Sequence, residues 1–365
     1  MADIVIVVNS AGLQERRAQE LALRTQHHRV SDIVVAPSPD RLRRALRSAD
    51  VVYVIDAGRA GASAFAAARA MRRACIVELG DPQAPLYRAQ GRSSAAVLAG
   101  FAIDRAVGLL ASGVVVRGRA LARELPIRGP WTFLPDGVDL HRFAPISGEP
   151  VRAGLGIPSD HLVAGVVGSV TWSRSRRWCY GMELVEALGH LDRTDIHALI
   201  VGDGTGIDHL RARAQELGVA ERVHLIGRVA HDEVPLHLGA LDVCVSTQTD
   251  DAIGWSRTTA KLPEYLACNR FVLATNVGEA ARLLPPEMLV AYAGSFDPVY
   301  PARLAQRLAE LVPDVRRIRA QAGTRRLAEA HFDYDRLAAV WDAFVDRVHP
   351  PEGAGSRPRH RRGLR

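Results

Sequence analysis

The sequence predicts an α/β protein made of two successive domains, each a parallel sheet wound with crossover helices. Three observations carry this reading. Short apolar runs alternate with helical periodicity along the chain, the mark of strands joined by helices. The alternation restarts after Pro145-Ile-Ser-Gly-Glu-Pro150, where proline, glycine and serine cluster as in a linker. The length, 365 residues, exceeds what a single hydrophobic core ordinarily serves.

The first half offers strands at 4–8, 33–36, 51–55, 75–79, 113–116 and 132–134, with helical stretches such as 14–23, 40–47 and 63–72 between them. The second half repeats the pattern with strands at 163–167, 198–201, 223–226, 242–246, 272–274 and 288–291. Residues 332–348 read as a last amphipathic helix. The expected division is 1–145, 146–330, a final helix at 331–348, and a basic tail at 349–365 whose composition suits disorder.

Apolar residues make up 48% and charged residues 24%, ordinary globular chemistry. Cys75, Cys179, Cys244 and Cys268 lie far apart without metal-ligand spacing, so they read as reduced, partly buried thiols of a cytosolic protein. Met1-Ala-Asp-Ile runs straight into a strand, unlike a signal peptide. The longest apolar tract, 95–116, is broken by Asp104 and Arg105, too early for a membrane span. Residues 1–145 carry net charge +7, residues 146–348 carry −4, and the tail +4. A basic half beside an acidic half suggests different partners for the two. No nucleic-acid motif accompanies the basic half, so an anionic acceptor or an anionic membrane surface is the expectation there. Arg41, Arg43, Arg44 and Arg47 are the candidate contacts, against a plain solvated helix.

Ligands of open α/β folds sit beyond the carboxyl ends of strands, so chemistry is expected in the turns that follow strands. Gly202-Asp-Gly-Thr-Gly206 follows a strand and opens a helix, but lacks the third glycine of a dinucleotide fingerprint. A plain turn explains it equally well. The segment from Trp255 to Thr275 says more. Among 47 basic residues the chain has one lysine, Lys261, a compact charge suited to a crowded anion site where arginine would not fit. Thr258 and Thr259 suit the cap of a helix over 262–268. Amides at 257–260 and the helix dipole would favour an anion. Glu264, one turn on, would repel phosphate and so is better placed to accept hydrogen bonds from hydroxyls, as from a ribose. The competing reading is an intrahelical Lys–Glu pair on a solvated face.

The stretch Lys261-Leu-Pro-Glu-Tyr-Leu-Ala followed by Phe271-Val-Leu-Ala-Thr-Asn-Val-Gly278 resembles the signature of family 4 of the retaining glycosyltransferases. Leu134-Pro-Asp-Gly-Val-Asp139, Val201-Gly-Asp-Gly204, Arg222-Val-His-Leu-Ile-Gly227 and Ala240-Leu-Asp-Val-Cys-Val-Ser246 resemble its other motifs in order. The likeness is close over 130–345 and loose before it. It implies a GT-B fold: two facing Rossmann-like domains, acceptor in the first, nucleotide-diphosphate sugar in the second, and a final helix crossing back. It implies that Glu264 holds the ribose, that amides 257–260 with Thr258 and Thr259 hold the diphosphate, and that Gly204 and Gly227 line the donor site. The basic loop Gly168-Ser-Val-Thr-Trp-Ser-Arg-Ser-Arg-Arg-Trp178 would neutralise the diphosphate through Arg174 and Arg177, with Arg176 close behind.

The chain departs from the family pattern in places. Ser256 stands where many members have a second glutamate touching the donor sugar. Asn9-Ser-Ala-Gly12 replaces a glycine-rich first loop, making Asn9, Ser10 and Gly12 the acceptor-side candidates. Glu78-Leu-Gly-Asp81 has Gly80 where a cleft histidine is common, leaving Asp81 as the candidate catalytic residue on that side. The resemblance implies front-face displacement through an oxocarbenium-like state, with Arg174 and Lys261 stabilising the departing diphosphate. No metal is then required, and Asp333-Tyr-Asp335 reads as a helix cap. The alternatives are a nucleotide-sugar 2-epimerase and a degenerate partner subunit. The expected acceptor is a small molecule or lipid-linked, and the expected location cytoplasmic or peripheral at the inner membrane surface.

Overall fold

The structure, a computed structural model, describes residues 1–174, 177–321 and 323–350. Arg176 and the tail beyond residue 350 lie outside the described residues. The first sheet comprises β1 (Asp3–Val8), β2 (Arg29–Val35), β3 (Val51–Ile55), β4 (Ala74–Leu79), β5 (Gly113–Val116) and β6 (Trp131–Phe133), in the order β2-β1-β3-β4-β5-β6. Helices α1 (Leu13–Arg24), α2 (Pro39–Arg47), α3 (Arg59–Ala70), α4 (Gln83–Ala89), α5 (Ser94–Leu110) and α6 (Leu121–Glu124) connect or follow its strands.

The second sheet comprises β7 (Leu162–Val167), β8 (Ile196–Val201), β9 (Val223–Gly227), β10 (Val243–Ser246), β11 (Phe271–Thr275) and β12 (Leu289–Val290), in the order β12-β11-β10-β7-β8-β9. Its helices are α7 (Glu149–Gly154), α8 (Met182–Gly189), α9 (Ile207–Glu216), α10 (Val234–Gly239), α11 (Ala252–Ser256), α12 (Lys261–Ala267), α13 (Gly278–Leu283) and α14 (Tyr300–Leu311). Helices α15 (Val315–Gln321), α16 (Arg325–His331) and α17 (Tyr334–Val348) complete the described chain. All strand pairings are parallel.

Strands buried on both faces explain why runs such as Val51-Val-Tyr-Val-Ile55 are continuously apolar rather than alternating. Strand β2, at the sheet edge, starts at Arg29 and alternates exposed and half-buried residues. Its polar first half hid that portion from the apolar pattern. The tract 95–116 divides into the 17-residue helix α5 and strand β5. Among the described residues no helix is long and apolar enough to cross a membrane. All four cysteines are free and fully buried.

One face of the first sheet packs Val5, Val7, Val52 and Val54 against α2, α3 and α5. The other packs Ile4, Ile6 and Tyr53 against α1 and, from the far end of the chain, α17. Trp341 of α17 is fully buried and meets the Tyr53 ring edge-on at 5.4 Å. Asp333 caps this helix by accepting from the Asp335 amide at 3.1 Å. Strand order reverses between β1 and β3 in the first sheet and between β7 and β10 in the second. Both reversals open a crevice at the carboxyl ends of the strands, the usual place for a ligand in such sheets.

Candidate active site

At the second reversal point, β10 leads through a short segment into α11, whose first turn is capped by Asp251 accepting from the Ile253 and Gly254 amides. The chain then extends at Arg257 and turns into α12 with Ala260 as N-cap. The expected threonine cap is not what forms. Thr258 donates its hydroxyl to the Arg117 carbonyl, 2.6 Å away on the first half of the chain, and α12 has no side-chain cap. Among the described residues, amides 257–260 donate to no backbone carbonyl.

Lys261 lies across the end of β7, its Nζ 3.3 Å from the centroid of the Tyr180 ring. It can do so because Gly168 has φ +139 and no side chain; a Cβ there would sit 2.5 Å from the lysine Cε. Burial pushes the Lys261 ammonium down to about 7, with Arg257 adding to the shift and Glu264 opposing it. Burial likewise raises the Glu264 carboxyl to about 7, against the pull of Arg16 and Lys261. Both side chains retain some solvent contact although protein surrounds them, as on the floor of a cleft. No ion pair joins them among the described residues, so the intrahelical pair does not form. Glu264 instead borders a small cavity of about 30 Å³ with Arg16, Gly137, Asp139 and His231. Glu264 thus faces a space between α1 and α12, while Lys261 lies against the Tyr180 ring and Gly168.

Opposite, the first reversal point is filled by a charged network. Asp56, directly after β3, has φ +61 and accepts from Gln14 at 2.7 Å, from the Gly80 amide at 2.9 Å and from Arg117 at 2.7 and 2.8 Å. Arg117 occupies the volume a side chain at position 80 would need. Behind it, buried Glu78 accepts from Arg17 at 2.7 Å and from Tyr53 at 2.6 Å. Asp136 sits between Arg17 and Arg117 at 3.9 and 3.6 Å, its carboxyl raised by burial and held back by the two guanidiniums.

Asn9 lies at this point, but its amide ties the Ile55 and Asp56 carbonyls and the Gly61 amide together. It shapes the loop, with no free group to offer. Ser10 and Gly12 face solvent ahead of α1, Gly12 with φ +92. Asp81 makes a bidentate ion pair with Arg257, at 2.5 and 3.0 Å, bridging the two halves.

Three sets of donor-side candidates lie apart from Lys261 and Glu264. Ser256 is fully buried and donates to the Ala252 carbonyl at 2.6 Å within its own helix. Arg174 and Arg177 are exposed and border a groove of about 670 Å³ with Trp172 and His209, one that includes neither Lys261 nor Glu264. Ser173 and Trp178 pair backbone to backbone beside them, and Arg177 has φ +50. Gly204, with φ +153, packs against the Val170 carbonyl, and the Gly227 carbonyl accepts from the Gly202 amide at 2.8 Å. Both glycines knit strand ends below the crevice. Thr259 stays half-buried beside the free amides.

The sequence reading overlooked Arg16, Asp56, Arg117, Tyr180 and Arg257. Asp56 and Arg117 are each the first residue after a strand, so the strand-end rule applied evenly would have found them. Arg257 adjoins Ser256 in the segment already singled out. Arg16 had no signal, since only the fold brings α1 to Glu264. Among the described residues no group of three or more His, Cys, Asp or Glu could hold a metal ion.

Residues 162–314 match the family model described as glycosyl transferases group 1. A 2-deoxystreptamine glucosyltransferase from Streptomyces kanamyceticus is 28% identical over 223 residues, covering 59% of this chain and 54% of the relative. A D-inositol 3-phosphate glycosyltransferase from Geodermatophilus obscurus is 27% identical over 231 residues, covering 59% and 48%. The matches thus span about half the length of these curated relatives. Among solved structures, HepE from Anabaena in complex with UDP and glucose superposes with a TM-score of 0.74 at 17% identity, covering 95% of this chain and 100% of that one. Two six-stranded parallel sheets in these strand orders and the superposition on HepE give the chain the GT-B fold, and its residues 162–314 are similar to the group 1 glycosyl transferases.

Proposed function

We propose that this protein is a retaining glycosyltransferase that moves a sugar from a nucleotide-diphosphate sugar to a hydroxyl of a small polar acceptor. The observation that carries the reading is the pair on α12: Lys261 beyond the end of β7 against the Tyr180 ring, and Glu264 one turn on bordering a cavity with Arg16 and Gly137, neither in an ion pair among the described residues. A diphosphate supplies the anion that restores full charge to the lysine, and ribose hydroxyls donate to the glutamate. Departure of the nucleoside diphosphate breaks the anomeric C–O bond. The acceptor oxygen attacks the same face, and its proton passes to the leaving phosphate oxygen. Lys261, the 257–260 amides and Thr259 stabilise the charge that grows on that oxygen. This chemistry is assigned to the chain's own groups, without a metal.

Arg257 is the arginine we assign to this pathway beside Arg174 and Arg177, since its own amide opens the 257–260 segment and its charge acts on Lys261. Asp81, whose oxygens each carry one bond to Arg257 and keep acceptor capacity, is the acceptor-side carboxylate suited to hydroxyls and amines, and Asp56 positions Arg117 beside it. The two curated relatives are named for an aminocyclitol and an inositol phosphate, which fits a polyhydroxylated ring. A second reading, a partner subunit that keeps the fold without turnover, draws on buried Ser256. The test is release of nucleoside diphosphate from a panel of nucleotide sugars, with and without 2-deoxystreptamine or inositol phosphate and with EDTA throughout. Acceptor-dependent release supports transfer. Acceptor-independent consumption of donor indicates the epimerase class, and inertness towards every donor indicates the partner subunit.

A further inference from the structure

Helix α5 is built the wrong way round for a surface helix. Gly100, Asp104, Val107 and Gly108 face the protein, and the two glycines are there because of close packing. A side chain at 100 would touch the Gln83–Ala84 backbone at 3.0 Å, and one at 108 would touch Pro126 at 3.2 Å. The large apolar side chains point outward: Leu98 is 69% exposed, Phe101 53% and Leu110 48%. Ala95, Ala99 and Ala102 continue the same exposed stripe. A surface helix ordinarily turns its apolar stripe to the core, and a contiguous exposed patch of this kind marks an interaction surface.

What rims the stripe identifies its partner. Arg88, Arg92 and Arg105 are exposed, and none forms an ion pair among the described residues. Arg92 lies over the Tyr87 ring and Arg105 over Phe101, at 4.8 and 5.8 Å. The one acid of the α4–α5 hairpin, Asp104, is buried and accepts from the Gln83 amide at 2.9 Å. An apolar face with a purely cationic rim complements a bilayer whose headgroups are negative and whose interior is apolar. Helix α2, the surface suggested by its arginines, lacks this combination: Leu42, Ala45 and Leu46 are buried against the sheet and Arg41 is paired with Asp32 at 2.7 Å.

We propose that the outward face of α5, with its rim of Arg88, Arg92 and Arg105, docks this protein on an anionic lipid bilayer. The α4–α5 hairpin starts two residues after Asp81, which bridges to Arg257, so docking would set the cleft beside the membrane. Docking needs no turnover and is tested apart from sugar transfer. The experiment is sedimentation of the full chain with vesicles of phosphatidylcholine alone or with phosphatidylglycerol, at low and high salt. The expected result is salt-sensitive binding to the anionic vesicles only. Leu98→Ser with Phe101→Ser should weaken it about tenfold or more, and each of Arg88→Ala, Arg92→Ala and Arg105→Ala roughly fivefold. These positions are exposed, and an unchanged thermal transition checks that the fold survives. A parent protein that stays in the supernatant at low salt overturns the proposal. So does binding that ignores the α5 substitutions, which would move docking to another surface such as α2. Self-association abolished by the double substitution, without vesicle binding, also overturns it and makes α5 a contact between copies of this chain.

Discussion

Glu264→Gln should stabilise the unliganded protein while weakening its hold on a nucleoside diphosphate. Burial raises this carboxyl from 4.5 to about 7. A folded-state pKa above the unfolded value gives stability that is fully present below pH 4.5 and is lost as pH rises through 7. At pH 8 the folded protein therefore carries a cost of about 3 kcal/mol, at about 1.4 kcal/mol per unit, and solvent contact on one side brings it nearer about 2. Glutamine keeps the shape and removes that cost. At roughly 2 °C per kcal/mol for a chain of this size, the unliganded Tm at pH 8 should rise by about 4 °C. The gain should vanish near pH 5, where the glutamate is already protonated. If Glu264 holds the ribose as proposed, the same substitution also deletes a charged acceptor for its hydroxyls, a loss of about 1.5–3 kcal/mol, or about ten- to a hundredfold in affinity. Scanning fluorimetry at pH 5 and pH 8, with calorimetric titration of UDP and other nucleoside diphosphates, reads both effects. A lower unliganded Tm at pH 8, or an unchanged diphosphate affinity, would refute the reasoning.

Lys261→Ala should lower kcat more than it raises the donor KM, because the charge it meets grows towards the transition state; a change in KM alone would make it a binding residue only. The Lys261 ammonium sits near 7, so diphosphate binding should take up a proton at pH 7–8 and weaken as pH rises above it. Calorimetry in buffers of different ionisation heat measures the uptake, and none should remain in Lys261→Ala. Gly168→Ala forces a positive φ on alanine and pushes on the lysine Cε, so it should cost at least about 1 kcal/mol of stability and displace Lys261; unaltered diphosphate affinity would show that the lysine does not need its berth. Asp81→Asn breaks the bidentate bridge to Arg257 and should enlarge the radius of gyration in small-angle scattering. An unchanged radius would deny the bridge any part in holding the two sheets together.

Both sheets were legible because strands buried on two faces leave unbroken apolar runs, as in 51–55 and 113–116, and because those runs recur with helices between. Strand β2 was clipped since an edge strand can be polar on its outer half. Lys261 and Glu264 stand out as candidates because a lone lysine among arginines and a three-residue spacing are properties of the sequence itself. The partners of Thr258 and Asp81 were not, since each lies on the other half of the chain and only the fold brings them together. The groove that Arg174 and Arg177 border was not legible for a related reason: a basic loop after a strand does not disclose which surface its side chains line. Helix α5 looked ordinary as a string of alanines and leucines, and only its packing reveals that glycines took the inward positions.

The burial of Trp341 against Tyr53 has a consequence for how the polypeptide is made. Synthesis delivers the first sheet early, yet the helix that seals one of its faces emerges only after all of the second sheet has left the ribosome. Throughout that interval Ile4, Ile6 and Tyr53 lack part of their cover, so the early-made half must wait, incompletely packed, for the last helix of the described chain. The two sheets should therefore mature in the reverse of their order of synthesis, with a nascent chain stalled before residue 334 protease-sensitive in its first half and resistant in its second.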